Sequence, residues 1–287
     1  EYSDLVADTF GTDHHRFVVP NSEVLPRLPE AFANMTEPMF GQDAIAFYLL
    51  SEVISQEIKV VQSGQGADEV FGGYFWYPRM HHSVKTGINR FSDEYFDRTH
   101  EEYLEMMSKQ YHVEDYTSAL IEEKLNGFEA DEYIDRVLAL DVTTLIVDDP
   151  VKRVDNMTMA WGLEARVPFL DQNLIELAAK MPVEYKLPNG GKHVLKRISR
   201  GLLPDKIIDR SKAYFPMPAL KFVEGEYLEF MREILLSDSA KSRGLYNSAY
   251  VEKLLKNPED YYTRLQGSKL WHLAALELWL QQNIGNK

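Results

Sequence analysis

Val60-Val61-Gln62-Ser63-Gly64-Gln65-Gly66-Ala67-Asp68-Glu69-Val70-Phe71-Gly72-Gly73-Tyr74 runs from an apolar segment into a glycine-rich loop and then into an acidic pair. Ile58 to Val61 is β-branched except at Lys59, a length and type that suit an interior parallel strand. In an open parallel sheet, ligands bind beyond the carboxyl ends of the strands, where this loop would fall. Gly64 and Gly66 let backbone N–H groups approach an anion closely. Asp68 and Glu69 cannot themselves hold a phosphate, but one or two carboxylates plus phosphate oxygens are what Mg²⁺ takes. Two familiar phosphate loops do not fit: a dinucleotide loop needs glycine where Glu69 stands, and a Walker loop needs Gly-Lys-Ser/Thr. Composition leaves a second reading open, a tight turn whose Asp68 and Glu69 cap the following helix.

Upstream of this loop the pattern is α/β. Glu1 to Phe10 has helical spacing ended by Gly11, His15 to Pro20 reads as a short strand, and Asp43 to Gln56 reads as a well-buried helix. From about residue 90 the pattern is helical. Tyr133 to Val147 carries apolar residues at Ile134, Val137, Leu138, Val142 and Leu145, and Asp149-Pro150 reads as the N-cap and first turn of the next helix. Asp171 is a second N-cap candidate, opening Gln172 to Lys180, and Lys192 to Ser199 is a further helix stopped by Gly201 and Pro204. Without repeats or a low-complexity linker, both regions are expected to share one continuous core.

Forty-five per cent apolar residues are enough to fill a core, which excludes a disordered or collagen-like chain. Thirty-one basic against 45 acidic side chains leave a formal charge of −14, which repels phosphate backbones and argues against nucleic acid as a partner. The absence of cysteine excludes disulfides, zinc thiolates and a cysteine nucleophile. No apolar run approaches the roughly 20 residues of a membrane helix, and no export signal opens the chain, so a cytoplasmic location without membrane contact is expected. His14-His15 and His81-His82 invite a metal reading, but adjacent strand residues point to opposite faces and chelate poorly. His15 is therefore expected to be a packed strand residue. Trp76-Tyr77-Pro78-Arg79 reads as core ahead of the alternative, a pocket wall.

Ser63 to Tyr74 resembles the second nucleotide motif of the asparagine synthetase family, usually Ser-Gly-Glu-Gly-Ala/Ser-Asp-Glu-Leu/Val-Phe-Gly-Gly-Tyr. Gly11-Thr12-Asp13-His14-His15 is similar to that family's Gly-Thr-x-His-His. Asp155-Asn156-Met157-Thr158-Met159 and Glu164-Ala165-Arg166-Val167-Pro168-Phe169-Leu170-Asp171 are similar to its Asp-Arg-Met-Ser-Met and Glu-Ala-Arg-Val-Pro-Phe-Leu-Asp. Lys192 with Leu195, Leu203-Pro204 and Arg210-Ser211-Lys212 match its C-terminal lysine pattern.

The resemblance covers nearly the whole chain and implies an ATP-dependent ligase. Such an enzyme activates a carboxylate with Mg-ATP, releases pyrophosphate, and lets glutamine-derived ammonia attack the acyl-adenylate, as in asparagine biosynthesis. The fold implied is α/β: an incomplete doubly wound parallel sheet of the ATP-pyrophosphatase (adenine nucleotide alpha-hydrolase-like) type with a large helical C-terminal region. Residues 1–287 would form one synthetase fragment, with 1–80 as the nucleotide-binding part and 90–287 as the mainly helical part. Carried over residue by residue, Ser63, Gly64 and Gly66 would contact ATP and Asp68 would bind Mg²⁺. Lys192 and Lys212 would place positive charge on the phosphates in the transition state, against the ordinary fate of a solvated lysine. Gln65 would stand beside the acceptor; Glu69 and Glu164 are further candidates, and Arg166 reads as a structural partner of Glu164.

Two departures qualify the carry-over. The family's Ser-Gly-Gly-x-Asp-Ser pyrophosphate loop is missing, and so is the Cys-led glutaminase that supplies ammonia. The fragment alone is therefore expected to bind ATP weakly and to lack synthetase activity, and a bare sheet edge would favour homo-oligomers. Gln65 stands where asparagine-forming members carry Glu, which removes a charge beside the small-molecule carboxylate acceptor and adds a donor. That change, with Trp76-Tyr77-Pro78 downstream, is similar to the branch that amidates the dipeptide N-acetylglutaminylglutamine. Other readings are a non-catalytic module that retains the fold, a β-lactam-forming cyclase, and, least of all, a purely structural helical protein.

Overall fold

A computed structural model of the chain describes residues 1–210 and 218–285. Among the described residues helices dominate, and the sheet consists of two short parallel strands, β1 (Val60–Gln62) and β2 (Glu164–Arg166). Val60 lies opposite Glu164, Val61 opposite Ala165 and Gln62 opposite Arg166. Each strand is fed by a helix, Asp43–Ile54 before β1 and Pro150–Met159 before β2, and the two helices pack along each other. Because each helix turns back into its strand through a short connection, the two helix N-termini fall on the side of the strands' carboxyl ends.

β1 differs from the interior strand expected of its sequence. Ile58 is 48% and Val60 39% exposed, since the strand has one neighbour and apolar cover on one face. The expected strand from His15 to Pro20 is exposed, with no ladder among the described residues; β-branched residues cannot form a strand without a partner row of N–H and C=O groups. His15 accordingly sits in solvent beside Asp13, 3.2 Å away, and is not packed. The helix that follows, Asn21–Ala33, contains Pro26 and Pro29, which read as helix breakers in isolation. Burial of Val24, Leu28, Ala31 and Phe32 holds it.

The largest hydrophobic cluster joins that helix and Asp43–Ile54 to helices Gly225–Leu235, Ser248–Lys256 and Lys269–Asn283. Helix Lys269–Asn283 buries Leu270, Trp271, Leu273, Ala274, Ala275, Glu277 and Leu278, so it is enclosed on several sides at the centre of the core. Trp271 lies at its heart, edge-on to Phe32 at 5.8 Å, with its indole N–H donating to the Phe40 carbonyl at 2.8 Å. A second cluster gathers Trp76, Tyr77, Met80, Phe91, Ile134, Val137, Leu138 and Leu187, so Trp76 and Tyr77 are core residues. A third, small cluster of Val70, Phe71 and Ala178 with Leu170 and Val194 lies under the glycine loop. The first cluster joins the N-terminal and C-terminal regions in one core, as expected, and among the described residues two smaller clusters stand apart from it. No described helix is long and apolar enough to cross a membrane.

Both expected helix starts stand where the sequence places them, but their caps differ. Asp171 caps helix Gln172–Ala179, its carboxylate accepting from the N–H groups of Asn173 and Leu174. Replacing it by alanine is expected to cost about 1 kcal/mol of unfolding free energy in a denaturant titration. Asp149 does not cap helix Pro150–Met159; its carboxylate lies 3.2 Å from the Arg153 guanidinium instead. A stronger charge one turn on displaces the cap.

Candidate active site

The chain leaves β1 through Ser63, whose N–H donates to the Arg166 carbonyl at 2.8 Å and continues the ladder by one residue. Gly64 is exposed, and a Cβ there would meet nothing within 4 Å, so its backbone borders open space at the strand end. Gln65 is half-buried. Gly66 turns the chain at φ +92°, and a Cβ on it would stand 2.4 Å from Leu170 Cδ2, so this position demands glycine twice over. Helix Ala67–Phe71 begins at once and carries both acids in its first turn.

Neither acid caps that helix. Asp68 Oδ2 lies 2.9 Å from Lys192 Nζ. Glu69 is buried, and its Oε1 accepts the Tyr74 hydroxyl at 2.6 Å. The capping alternative therefore fails: the carboxylates turn to long-range and buried partners.

Lys192 reaches Asp68 because two loops interlock. Its backbone holds φ +54° and its N–H donates to the Phe71 carbonyl at 3.0 Å. Helix His193–Ser199 starts one residue later than its apolar pattern implies. Gly191 approaches so closely that a Cβ would stand 2.0 Å from the Gly72 carbonyl oxygen. A Cβ on Gly73 would stand 2.2 Å from Asp68 Oδ1 and 2.4 Å from Lys192 Cε. The Gly72-Gly73 pair thus leaves the space in which the ammonium and the carboxylate meet.

Other candidates are dispersed. Glu164 lies opposite Val60, on the strand rather than in the loop, and its carboxylate accepts from Arg166 Nε at 2.8 Å in an exposed pair. Lys212 and Ser211 lie outside the described residues. His81 and His82 close helix Trp76–His82 and face each other at 5.0 Å. Among the described residues no three His, Asp or Glu side chains converge into a metal cage. One or two carboxylates are what Mg²⁺ shared with phosphate oxygens asks of a protein, and Asp68 is a donor of that type at the strand end.

A cavity of about 600 Å³ opens at the N-termini of helices Asp43–Ile54 and Pro150–Met159. Asp43, Asp97, Asp149, Arg153, Lys221 and His272 contribute its charged and titratable walls. Arg153 bridges Asp43 at 3.3 Å and Asp149 at 3.2 Å. Burial raises the Asp149 acid, Arg153 opposes that rise, and Asp43 adds to it. Burial also pulls His272 down to about 4, helped by the Arg98 guanidinium 3.2 Å away. The cavity mixes both signs of charge with amide and aromatic surface, and so suits a polar organic molecule more than a bare ion. Sequence reading missed it; the four-residue spacing of Asp149 and Arg153 was the available signal.

The family model described as Asparagine synthase matches residues 1–281. Over 97% of its length the chain is 26% identical to asparagine synthetase [glutamine-hydrolyzing] 1 of Bacillus subtilis, covering 49% of that protein. It is 27% identical over 95% of its length to asparagine synthetase [glutamine-hydrolyzing] 2 of Oryza sativa, covering 39% of it. Over 73% of its length it is 28% identical to a probable asparagine synthetase [glutamine-hydrolyzing] of Schizosaccharomyces pombe, covering 31%. The chain spans about half the length, or less, of these curated relatives.

Proposed function

This chain belongs to the asparagine synthase family, and on that premise we propose that it is the synthetase portion of a glutamine-dependent amidotransferase. In this reading it uses Mg-ATP to adenylate a carboxylate on a small acceptor, and ammonia released from glutamine then forms the amide, as in asparagine synthesis. The fold in this reading is of the ATP-pyrophosphatase type. The observation that carries the proposal is the meeting of Asp68 and Lys192 at 2.9 Å beside the open glycine turn at the end of β1.

Each residue then has a physical task. Gly64 is exposed backbone, which lets phosphate oxygens approach the N–H groups there to hydrogen-bond distance, while Gly66, buried against Leu170, shapes the turn. Lys192 offers a fixed positive charge to the departing pyrophosphate, an electrostatic contribution that needs no proton transfer. Lys212 is proposed for the same task. When bound, Mg²⁺ would be held by Asp68 and would neutralise phosphate charge. Its absence from the pair would leave Lys192 neutralised by Asp68, so nucleotide binding is expected to exchange that contact for phosphate contacts. Ser63 contacts the nucleotide and Gln65 stands beside the reacting carboxylate, while the cavity at Arg153, lined by residues outside the glycine loop, is the candidate for the rest of the acceptor.

Gln65 favours a second reading on the acceptor. An amide beside the substrate neither repels nor demands a charged group as a carboxylate would, and a cavity of about 600 Å³ accommodates a molecule larger than aspartate. A dipeptide such as N-acetylglutaminylglutamine is the alternative acceptor. Supplying aspartate and the dipeptide in parallel to the full-length protein distinguishes them, since amide formed from aspartate alone would dispose of the dipeptide.

The proposal is tested by titrating the protein with a non-hydrolysable ATP analogue, with and without Mg²⁺. Binding is expected to tighten with Mg²⁺, and Asp68→Asn is expected to remove that gain, a loss of roughly tenfold or more, corresponding to about 1.4 kcal/mol. Binding that ignores Mg²⁺ and tolerates Asp68→Asn would show that this loop is not a nucleotide site.

A further inference from the structure

Beneath the glycine loop lies a buried set of acids and phenols that the proposed chemistry does not use. Glu69 and Asp141 are each 1% exposed. Tyr74 donates its hydroxyl to Glu69 at 2.6 Å, and Tyr77 donates to Asp141 Oδ2 at 2.5 Å. The second oxygen of Asp141 is also buried. Asp141 opens a π-helical turn, Asp141–Leu145, that interrupts the helix expected from Tyr133 to Val147. Such turns add a residue within one helical repeat and are enriched at functional sites. This one packs against helix Ala67–Phe71, which carries Asp68 and Glu69. The Tyr74 ring stacks on Trp76 at 4.2 Å and lies 5.7 Å from Tyr77, so both phenol–acid bonds belong to one rigid aromatic unit.

We propose that Asp141 is a positioning residue for the nucleotide loop, its buried carboxyl group holding Tyr77 and the π turn against helix Ala67–Phe71 and thereby setting where the Asp68 carboxylate stands. The proposal rests on the nucleotide reading above. Its physical basis is that an apolar, phenol-lined site cannot hold two ionised carboxylates cheaply, whereas one proton on Asp141 leaves an oxygen able to accept from Tyr77 and removes the repulsion with Glu69. The groups facing Asp141 are Glu69 on helix Ala67–Phe71, Tyr77 on helix Trp76–His82 and Tyr95 on helix Ile88–Tyr95. Tyr74 lies alongside, and Lys124 reaches the same π turn only at Thr144, 3.2 Å from its hydroxyl. Burial, then the charge of Glu69, pushes the Asp141 acid up to about 7, while the Tyr77 hydrogen bond opposes the rise.

The test compares Asp141→Asn with Asp141→Ala. Asparagine keeps an acceptor for Tyr77 without a titrating proton, whereas alanine removes the acceptor. At pH 6 the asparagine variant is expected to bind the Mg²⁺-supported ATP analogue within about twofold of the parent, and the alanine variant roughly tenfold more weakly. Between pH 6 and 8.5 the parent is expected to lose affinity several-fold as Asp141 ionises, and the asparagine variant to lose none by this route. Without nucleotide, Trp76 emission in the parent is expected to change with a midpoint near that acid's value. The change should vanish in the asparagine variant, and a Trp76→Phe control separates it from the other tryptophans. An asparagine variant as weak as alanine, or one that keeps the parent's pH profile, overturns the proposal. A flat Trp76 signal with normal analogue binding overturns this inference alone. A normal Trp76 transition with no analogue binding by any form overturns the nucleotide reading and the positioning role with it.

Discussion

Gly191→Ala is expected to destabilise the protein by at least about 3 kcal/mol and to abolish Mg²⁺-supported nucleotide binding. Two costs act at this residue. Its φ of +84° is a conformation that alanine adopts only with strain. Its missing Cβ would stand 2.0 Å from the Gly72 carbonyl oxygen and 2.8 Å from the Gly73 Cα, and backbone atoms cannot swing aside as a flexible side chain does. To make room, the 187–192 loop must leave the 71–73 turn. That breaks the bond from the Lys192 N–H to the Phe71 carbonyl and withdraws the ammonium from Asp68. Gly190→Ala is the internal control. Gly190 also has positive φ, at +76°, but a Cβ there meets nothing within 4 Å, so it should cost about 1 kcal/mol. Denaturant midpoints for the pair isolate the clash. Equal losses at the two positions would mean that the loops are not interlocked as described.

Asp135→Ala is expected to cost about 3–5 kcal/mol, more than its removed contacts alone would account for. Its partner Lys186 is 1% exposed and lies 2.8 Å from Asp135 Oδ1. Without that carboxylate, the ammonium remains buried with nothing to offset its lost hydration. Replacing both members of the pair, Asp135→Leu with Lys186→Met, is expected to recover most of the loss. An ion pair removed whole leaves no orphan, and apolar groups of similar volume pack in its place. Chemical denaturation of the two single variants and the double variant forms a cycle, and purely additive effects would contradict direct coupling. The pair bears on the site, because the Lys186 carbonyl accepts the His193 N–H at 3.1 Å and so anchors the helix that follows Lys192.

The loop at the end of β1 was legible in sequence because its constraints are local. A glycine at φ +92°, a strand that ends before it and an acid just after it follow from residue type and order. Asp171 was legible for the same reason, since an N-cap bonds N–H groups only two and three residues away. Where several partners competed, local reading failed. Asp149 has the position of a cap but gives its carboxylate to Arg153. His15 to Pro20 has strand composition but no partner strand among the described residues. The apolar pattern from Tyr133 to Val147 does not reveal the π turn, because inserting one residue into the spiral leaves the spacing on either side intact. The cavity at Arg153 was invisible because its walls come from residues 40–43, 97, 149–153, 221 and 265–272.

The order and type of residues thus determined by themselves that a strand empties into a glycine turn followed by acids, and that the rest of the chain is mainly helical. These are properties of neighbours along the backbone, decided by sterics, hydrogen-bond geometry and apolar periodicity. Only the tertiary structure decided which cation faces Asp68 and which acid is buried with a phenol, and that Asp141 joins Glu69 beneath the loop. A charge selects its partner by distance and local polarity in three dimensions, and Lys192 stands 124 residues from Asp68 along the chain.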